Sequence, residues 1–182
     1  MAVATGVAAA VVAACLVWSR PAASAGPAGQ AALSPAVGFS RVTRPAPGFD
    51  LPPLDGPGSV RLSALRGRPV VINFWSSSCG PCQKESPAIA RVARAVRGKV
   101  TFVGIDTFDN RAAARAFAAR THMTYPLAFD PTGSAASRYR VPALPETFFL
   151  ASSGTRVLGV DLGALTVQHL SGILHDLYGV TT

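Results

Sequence analysis

The run Val70-Val71-Ile72-Asn73-Phe74-Trp75 has the length and β-branched content of a buried strand. Beyond Pro81 the period of the apolar positions changes. Ile89, Val92, Ala93 and Val96 recur at helical spacing, which predicts a helix running to about Arg97 and stopped by Gly98. Val100–Asp106 is again a strand, apolar enough for burial on both faces. Strand, helix and strand in this order make a βαβ unit with a right-handed crossover.

The flanking segments are shorter. Phe49-Asp50-Leu51 and Ser59-Val60-Arg61-Leu62 predict an N-terminal β-hairpin around Asp55-Gly56-Pro57-Gly58, and Ser63–Gly67 one helical turn. Asn110 can cap a helix over Arg111–Arg120, a helical insert after the βαβ unit. Tyr125–Phe129 is a short strand and Gly133–Arg140 a short helix. Glu146–Leu150 and Arg156–Asp161 form a hairpin about Ser152-Ser153-Gly154. Leu165–Leu177 closes the chain as a helix with Leu170, Ile173, Leu174 and Leu177 as its stripe. The fold class is therefore α/β: a central mixed sheet flanked by helices.

Upstream, Gly26–Pro47 is rich in Ala, Pro, Gly and Ser and has no period, so residues 26–44 read as a flexible tether and 45–182 as the domain. Ala2–Trp18 carries no charge, is near the lower limit for a membrane span, and ends at Arg20-Pro21. Ala23-Ser24-Ala25 fits a signal peptidase site, although no Lys or Arg precedes the apolar run. Val12-Ala13-Ala14-Cys15 resembles a bacterial lipobox. Cleavage after Ala25, an uncleaved anchor over 1–25 and lipidation at Cys15 all stand open. Each places the domain outside the cytoplasm, where disulfides persist.

The 182 residues have room for one well-packed domain plus an extension. The net charge of +8 comes mostly from arginines spread along the chain, without a tract or nucleic-acid motif. That excludes nucleic acid as the expected partner and leaves a mildly basic surface, with some attraction to an anionic membrane.

The chemistry concentrates in Cys79-Gly80-Pro81-Cys82, at a strand-to-helix junction. The first-turn amides and the helix dipole stabilise a thiolate at Cys79. Cys82, one turn along, can attack a mixed disulfide made by Cys79. Pro81 suits a first turn, where no N–H is needed. Structural zinc wants four ligands. The remaining Cys15 and the scattered His122, His169 and His175 do not supply them. A purely structural bridge would close too short a loop to gain much.

The dithiol, the βαβ unit, the last hairpin and the last helix together resemble the thioredoxin fold. The segments Pro47–Leu51, Leu62–Pro69, Asn73-Phe74-Trp75, Cys79–Pro87 and Leu144-Pro145-Glu146-Thr147-Phe148-Phe149-Leu150 are similar to the TlpA/ResA/DsbE-like branch of extracytoplasmic thioredoxins. The resemblance covers about Pro45 to Tyr178. It implies a thiol:disulfide oxidoreductase with no cofactor beyond the Cys79–Cys82 disulfide. It implies a cis Pro145 beside the dithiol, Pro142 being too far from the strand. It also implies a substrate groove formed by Trp75, Gly80, Pro81 and the Leu144 backbone. Asn73 stands where cytoplasmic thioredoxins have a buried aspartate, so that proton route is absent. The branch carries an acidic residue after the second central strand, and the matching position is Asp109. Asp109 either helps deprotonate Cys82 or acts with Asn110 in helix capping. Asp106 is a weaker substitute, and Lys84 and Glu85 are expected on the surface. The implied partners are extracytoplasmic protein thiols and disulfides, including apocytochrome c, and a membrane electron donor or acceptor.

Two other classes compete. A peroxiredoxin would need a threonine and a proline where Ser76 and Ile72 stand. A copper-binding module would recruit His or Met near the cysteines, and His122-Met123 is the available pair. Gly80-Pro81 resembles the reducing thioredoxin pattern. An oxidative enzyme of secreted proteins is the alternative direction.

Overall fold

Residues 1–3 and 38–182 are described by the computed structural model. The expected leader or anchor, the alternative of lipidation at Cys15 and the first part of the expected tether fall outside them. In chain order the elements are β1 (Gly38–Pro45), β2 (Asp50–Leu51), β3 (Val60–Arg61), a 3₁₀ turn (Leu62–Leu65), β4 (Val70–Trp75), α1 (Gly80–Ala95), β5 (Thr101–Thr107), α2 (Arg111–Arg120), β6 (Leu127–Asp130), α3 (Ser134–Tyr139), β7 (Glu146–Leu150), β8 (Arg156–Leu162) and α4 (Val167–Tyr178).

The apolar character of β4 follows from its place. The main sheet has the order β1-β8-β7-β4-β5-β6, so β4 is central and every one of its residues is buried. β4, β5 and β6 run parallel, and β7, β8 and β1 add antiparallel strands. On one face Ile72, Phe74, Val103, Ile105 and Phe148 pack with Ala135 and Tyr139 of α3. On the other, Val71 and Phe149 meet Ile89, Val92 and Val96 near α1 and Leu170 and Leu174 of α4. β2 and β3 form the separate N-terminal hairpin.

One boundary moves. Gly38–Arg44, which composition assigns to a flexible tether, belongs with Pro45 to β1, paired antiparallel with β8 from Gly38↔Leu162 to Pro45↔Arg156. An edge strand open to solvent needs no apolar pattern, so its sequence looked like linker. Its anchor is Phe39, whose ring meets Phe149 edge-on at 5.8 Å and lies over Gly159.

Candidate active site

The parallel strands β4 and β5 end together, with Trp75 opposite Asp106 in register. The loop Ser76–Ser78 then delivers Cys79 as the N-cap of α1, with Pro81 in the first turn. Cys79 and Cys82 form a disulfide with Cα atoms 5.2 Å apart. The Cys82 N–H donates to Cys79 Sγ at 3.2 Å, one of the helix-end amides that has no intrahelical acceptor. Cys79 is half-buried and Cys82 fully buried.

The surroundings bring together most of the residues singled out in the sequence. Trp75, Cys82, Phe117 and Phe129 form a cluster against which Cys79, Leu144 and Met123 pack. The Leu144–Pro145 bond is cis, and the Pro145 carbonyl accepts from the Gly163 amide at 3.0 Å. Pro142 is exposed. Gly80 and Pro81 are exposed beside the disulfide. Trp75 differs from its expected place in a substrate groove. Its side chain has no exposed surface, with the indole against Phe117 at 5.1 Å, so it supports the dithiol from beneath.

Asp109 lies at the dithiol loop, yet its bonds go to the loop backbone. Oδ2 accepts from Ser77 N at 2.5 Å and Oδ1 from Asn110 N at 2.6 Å. Partial burial pushes its carboxyl up, but hydrogen bonds from Ser77, Asn110 and Asp106 outweigh this and hold it below the ordinary range. Ser77 is fixed from the other side too, its carbonyl accepting from Gln83 Nε2 at 2.9 Å. The capping of α2 belongs to Asn110, whose Oδ1 accepts from Ala112 N and Ala113 N.

Glu85, expected on the surface, is completely buried. Asn73 Nδ2 donates to its Oε1 at 2.8 Å, and Leu165 N donates to its Oε2 at 3.0 Å. Burial raises its pKa to about 7 against these two bonds, with Asp161 adding to the rise. Its signal was in the spacing. The stripe Ile89, Val92 and Val96, traced one turn back, reaches Glu85 and Ser86 and then Cys82. Lys84 is exposed as expected.

Among the described residues no group of three or more His, Cys, Asp or Glu is placed to hold a metal ion. His122 is exposed, and Met123 packs against the Trp75 cluster. No helix among the described residues is long and apolar enough to cross a membrane.

A thioredoxin fold with a vicinal cysteine pair capping its first helix defines a thiol-disulfide oxidoreductase, whose redox group is the cysteine pair itself. Residues 42–155 match the AhpC/TSA family, and the chain belongs to that thioredoxin-like family. It is 35% identical over 124 residues to the thiol:disulfide interchange protein DsbE of Pseudomonas fluorescens, covering 67% of this chain and 68% of that one. It is 29% identical over 141 residues to the thiol-disulfide oxidoreductase ResA of Oceanobacillus iheyensis, covering 75% and 73%. Among solved structures, a secreted Mycobacterium tuberculosis disulfide oxidoreductase homologous to E. coli DsbE matches with TM-score 0.65 and 31% identity, covering 71% of this chain and 96% of that one.

Proposed function

We propose that this oxidoreductase works outside the cytoplasm in the reductive direction, passing electrons from a membrane donor to disulfides of extracytoplasmic proteins, apocytochrome c among them. The observation that carries the exchange chemistry is the asymmetry of the dithiol: a half-exposed Cys79 at the helix N-cap, with a buried Cys82 behind it. The Gly80-Pro81 spacer supports the reductive direction. The charge-free Ala2–Trp18 segment and the secreted relative support the location.

In the reduced enzyme, the Cys79 thiolate attacks one sulfur of a substrate disulfide. A Cys79–substrate bond forms and the other substrate sulfur leaves as a thiolate. Cys82 loses its proton and attacks Cys79 Sγ, which expels the second substrate thiolate and closes the Cys79–Cys82 disulfide. Two electrons reach the substrate, and its thiolates take up two protons. Leu144, Gly80 and Pro81 border Cys79 and offer the surface for an extended substrate chain.

Two carboxyls can receive the Cys82 proton. Glu85, one turn beyond Cys82 on the same helix face and with a pKa near 7, matches a thiol at neutral pH better. Asp109, held low by its amide donors, takes a proton less readily, and its larger contribution is to fix Ser77 and the loop before Cys79.

The test is the redox state of the dithiol trapped by acid quench and alkylation in cells. A reduced pair in a protein recovered outside the cytosol supports the proposal. An oxidised steady state turns the direction to disulfide formation, and recovery in the cytosol alone overturns the location.

A further inference from the structure

Asp106 is the buried group at the dithiol for which the exchange chemistry has no use. Strand alternation sets Phe102, Gly104 and Asp106 on one face of β5. That is the face of α1, because Phe102 packs with Ile89 and Val92, and a Cβ on Gly104 would meet Trp75 Nε1. Asp106 has no exposed surface, and neither carboxyl oxygen accepts from a donor. The side chain that bears on it most is the Asp109 carboxyl, three residues along the chain.

Asp109 is already an anion bound by the Ser77 and Asn110 amides. A second carboxylate against it, in a buried site, would be strongly repelled. Asp106 therefore keeps its proton and is the donor of the pair.

The other charges facing Asp106 do not change this. Arg111 of α2 is committed to the Pro53 and Leu54 carbonyls at 2.7 and 2.9 Å and stacks on Phe129 at 4.1 Å. Asp130 of β6 accepts from Thr107, Ser134, Ala135 and Ala136, and its proximity adds to the rise at Asp106. The Cys79–Cys82 pair at the start of α1 carries no charge as a disulfide, and the Ser77 titration is read on the protein in that state.

We propose that Asp106 is a positioning residue of the redox loop: as a neutral acid it donates to Asp109 and so holds Asp109 on the Ser77 amide, and loss of its proton to solvent loosens the segment that carries Cys79. This rests on the dithiol exchange assigned to Cys79 and Cys82. Burial, then the hydrogen bond and charge of Asp109, raise the Asp106 pKa to about 8, with Arg111 opposing and Asp130 adding, so the release falls on the alkaline side of neutrality.

The test follows the Ser77 amide by NMR in the full chain from about pH 6 to about pH 9. Peptide-disulfide reduction is measured in parallel for wild type, Asp106→Asn and Asp106→Leu. In wild type the Ser77 proton should resonate far downfield at the acid end and move upfield with a midpoint near 8. The reduction rate should rise toward neutrality with Glu85 and then fall several-fold on the alkaline side, through a midpoint near 8. Asn donates but does not titrate. Asp106→Asn should therefore keep the Ser77 shift flat and lose the alkaline fall in rate. Asp106→Leu should lose the downfield shift throughout. A flat Ser77 shift in wild type, or an Asp106→Asn profile that titrates like wild type, overturns the proposal even if Asp106→Leu fails to fold. If wild type reduces no disulfide at any pH, the exchange reading falls, and the Ser77 titration alone then decides the latch.

Discussion

Asn73 donates to Glu85 at 2.8 Å, joining the strand that ends at the dithiol to the helix that begins there. The same amide donates to Thr147 Oγ1 on β7 at 3.0 Å. Asparagine at this position cannot take a proton from Cys82, but it orients a buried carboxyl on the same face of α1, one turn beyond that cysteine. The proposed proton route thus runs through α1 in place of β4.

Glu85→Gln should slow resolution of mixed disulfides near neutral pH, by up to the roughly 10²–10⁴-fold that a positioned acid/base supplies. The fold should survive, because Asn73 Oδ1 is free of partners and an amide flip lets it accept from the new Gln. Single-turnover rates of wild type should rise with a midpoint near 7, set by Glu85, and this step should vanish in the variant. Asp109→Asn should leave that midpoint in place and reduce the rate through the loop. A midpoint lost in Asp109→Asn and kept in Glu85→Gln reverses the two roles.

The half-exposed Cys79 and buried Cys82 should separate in reactivity. Cys79→Ser should abolish disulfide reduction. Cys82→Ser should accumulate mixed disulfides, visible as reducible adducts in mass spectra. Faster alkylation of Cys82 than of Cys79 in the reduced protein would exchange the assignments.

Stability should fall as pH rises through neutrality. Glu85 and Glu146 have folded-state pKa values of about 7 and Asp106 of about 8, in each case chiefly from burial. A raised pKa means that the folded state holds a proton the unfolded chain has released. The stability these groups contribute is therefore complete below their ordinary carboxylate range and is lost as pH passes 7 to 8. Asp109, held low, works in the opposite sense and only in acid. Denaturant midpoints should be higher at about pH 5 than at about pH 8, and Glu146→Gln should flatten the slope. A midpoint that rises over this interval contradicts the buried-acid account.

Gly159→Ala should cost about 1–3 kcal/mol, typical of forcing an added carbon into a packed site. The new Cβ would lie 2.5 Å from Phe39 Cε2 and push β1 off β8. A thermal melt of this variant tests whether Gly38–Pro45 is part of the domain. An unchanged melt would return that segment to the tether.

The strands and helices that carry their own period were legible in the sequence: β4, α1, β5, the hairpin of β7 and β8, and α4 all fall within a few residues of where the pattern put them. The site was legible where the chemistry is local, in Cys79, Cys82 and the neighbourhood of Pro145. What escaped depends on distant partners. β1 is held by a strand more than a hundred positions away, and its own pattern is that of solvated chain. Glu85 was judged by its charge. Its helical position, on the stripe running from Cys82 to Val96, was the better guide, because an amide from Asn73 and one from Leu165 make its burial tolerable. The bond from Ser77 to Asp109 spans a loop whose course no local pattern dictates.

The reduction potential of the Cys79–Cys82 pair, taken from its equilibrium in dithiothreitol or glutathione buffers, tests the central claim most directly. A reductive exchanger should lie near the thioredoxin end of the range, at about −270 mV. A value close to about −120 mV, the region of a strong disulfide donor, would contradict it.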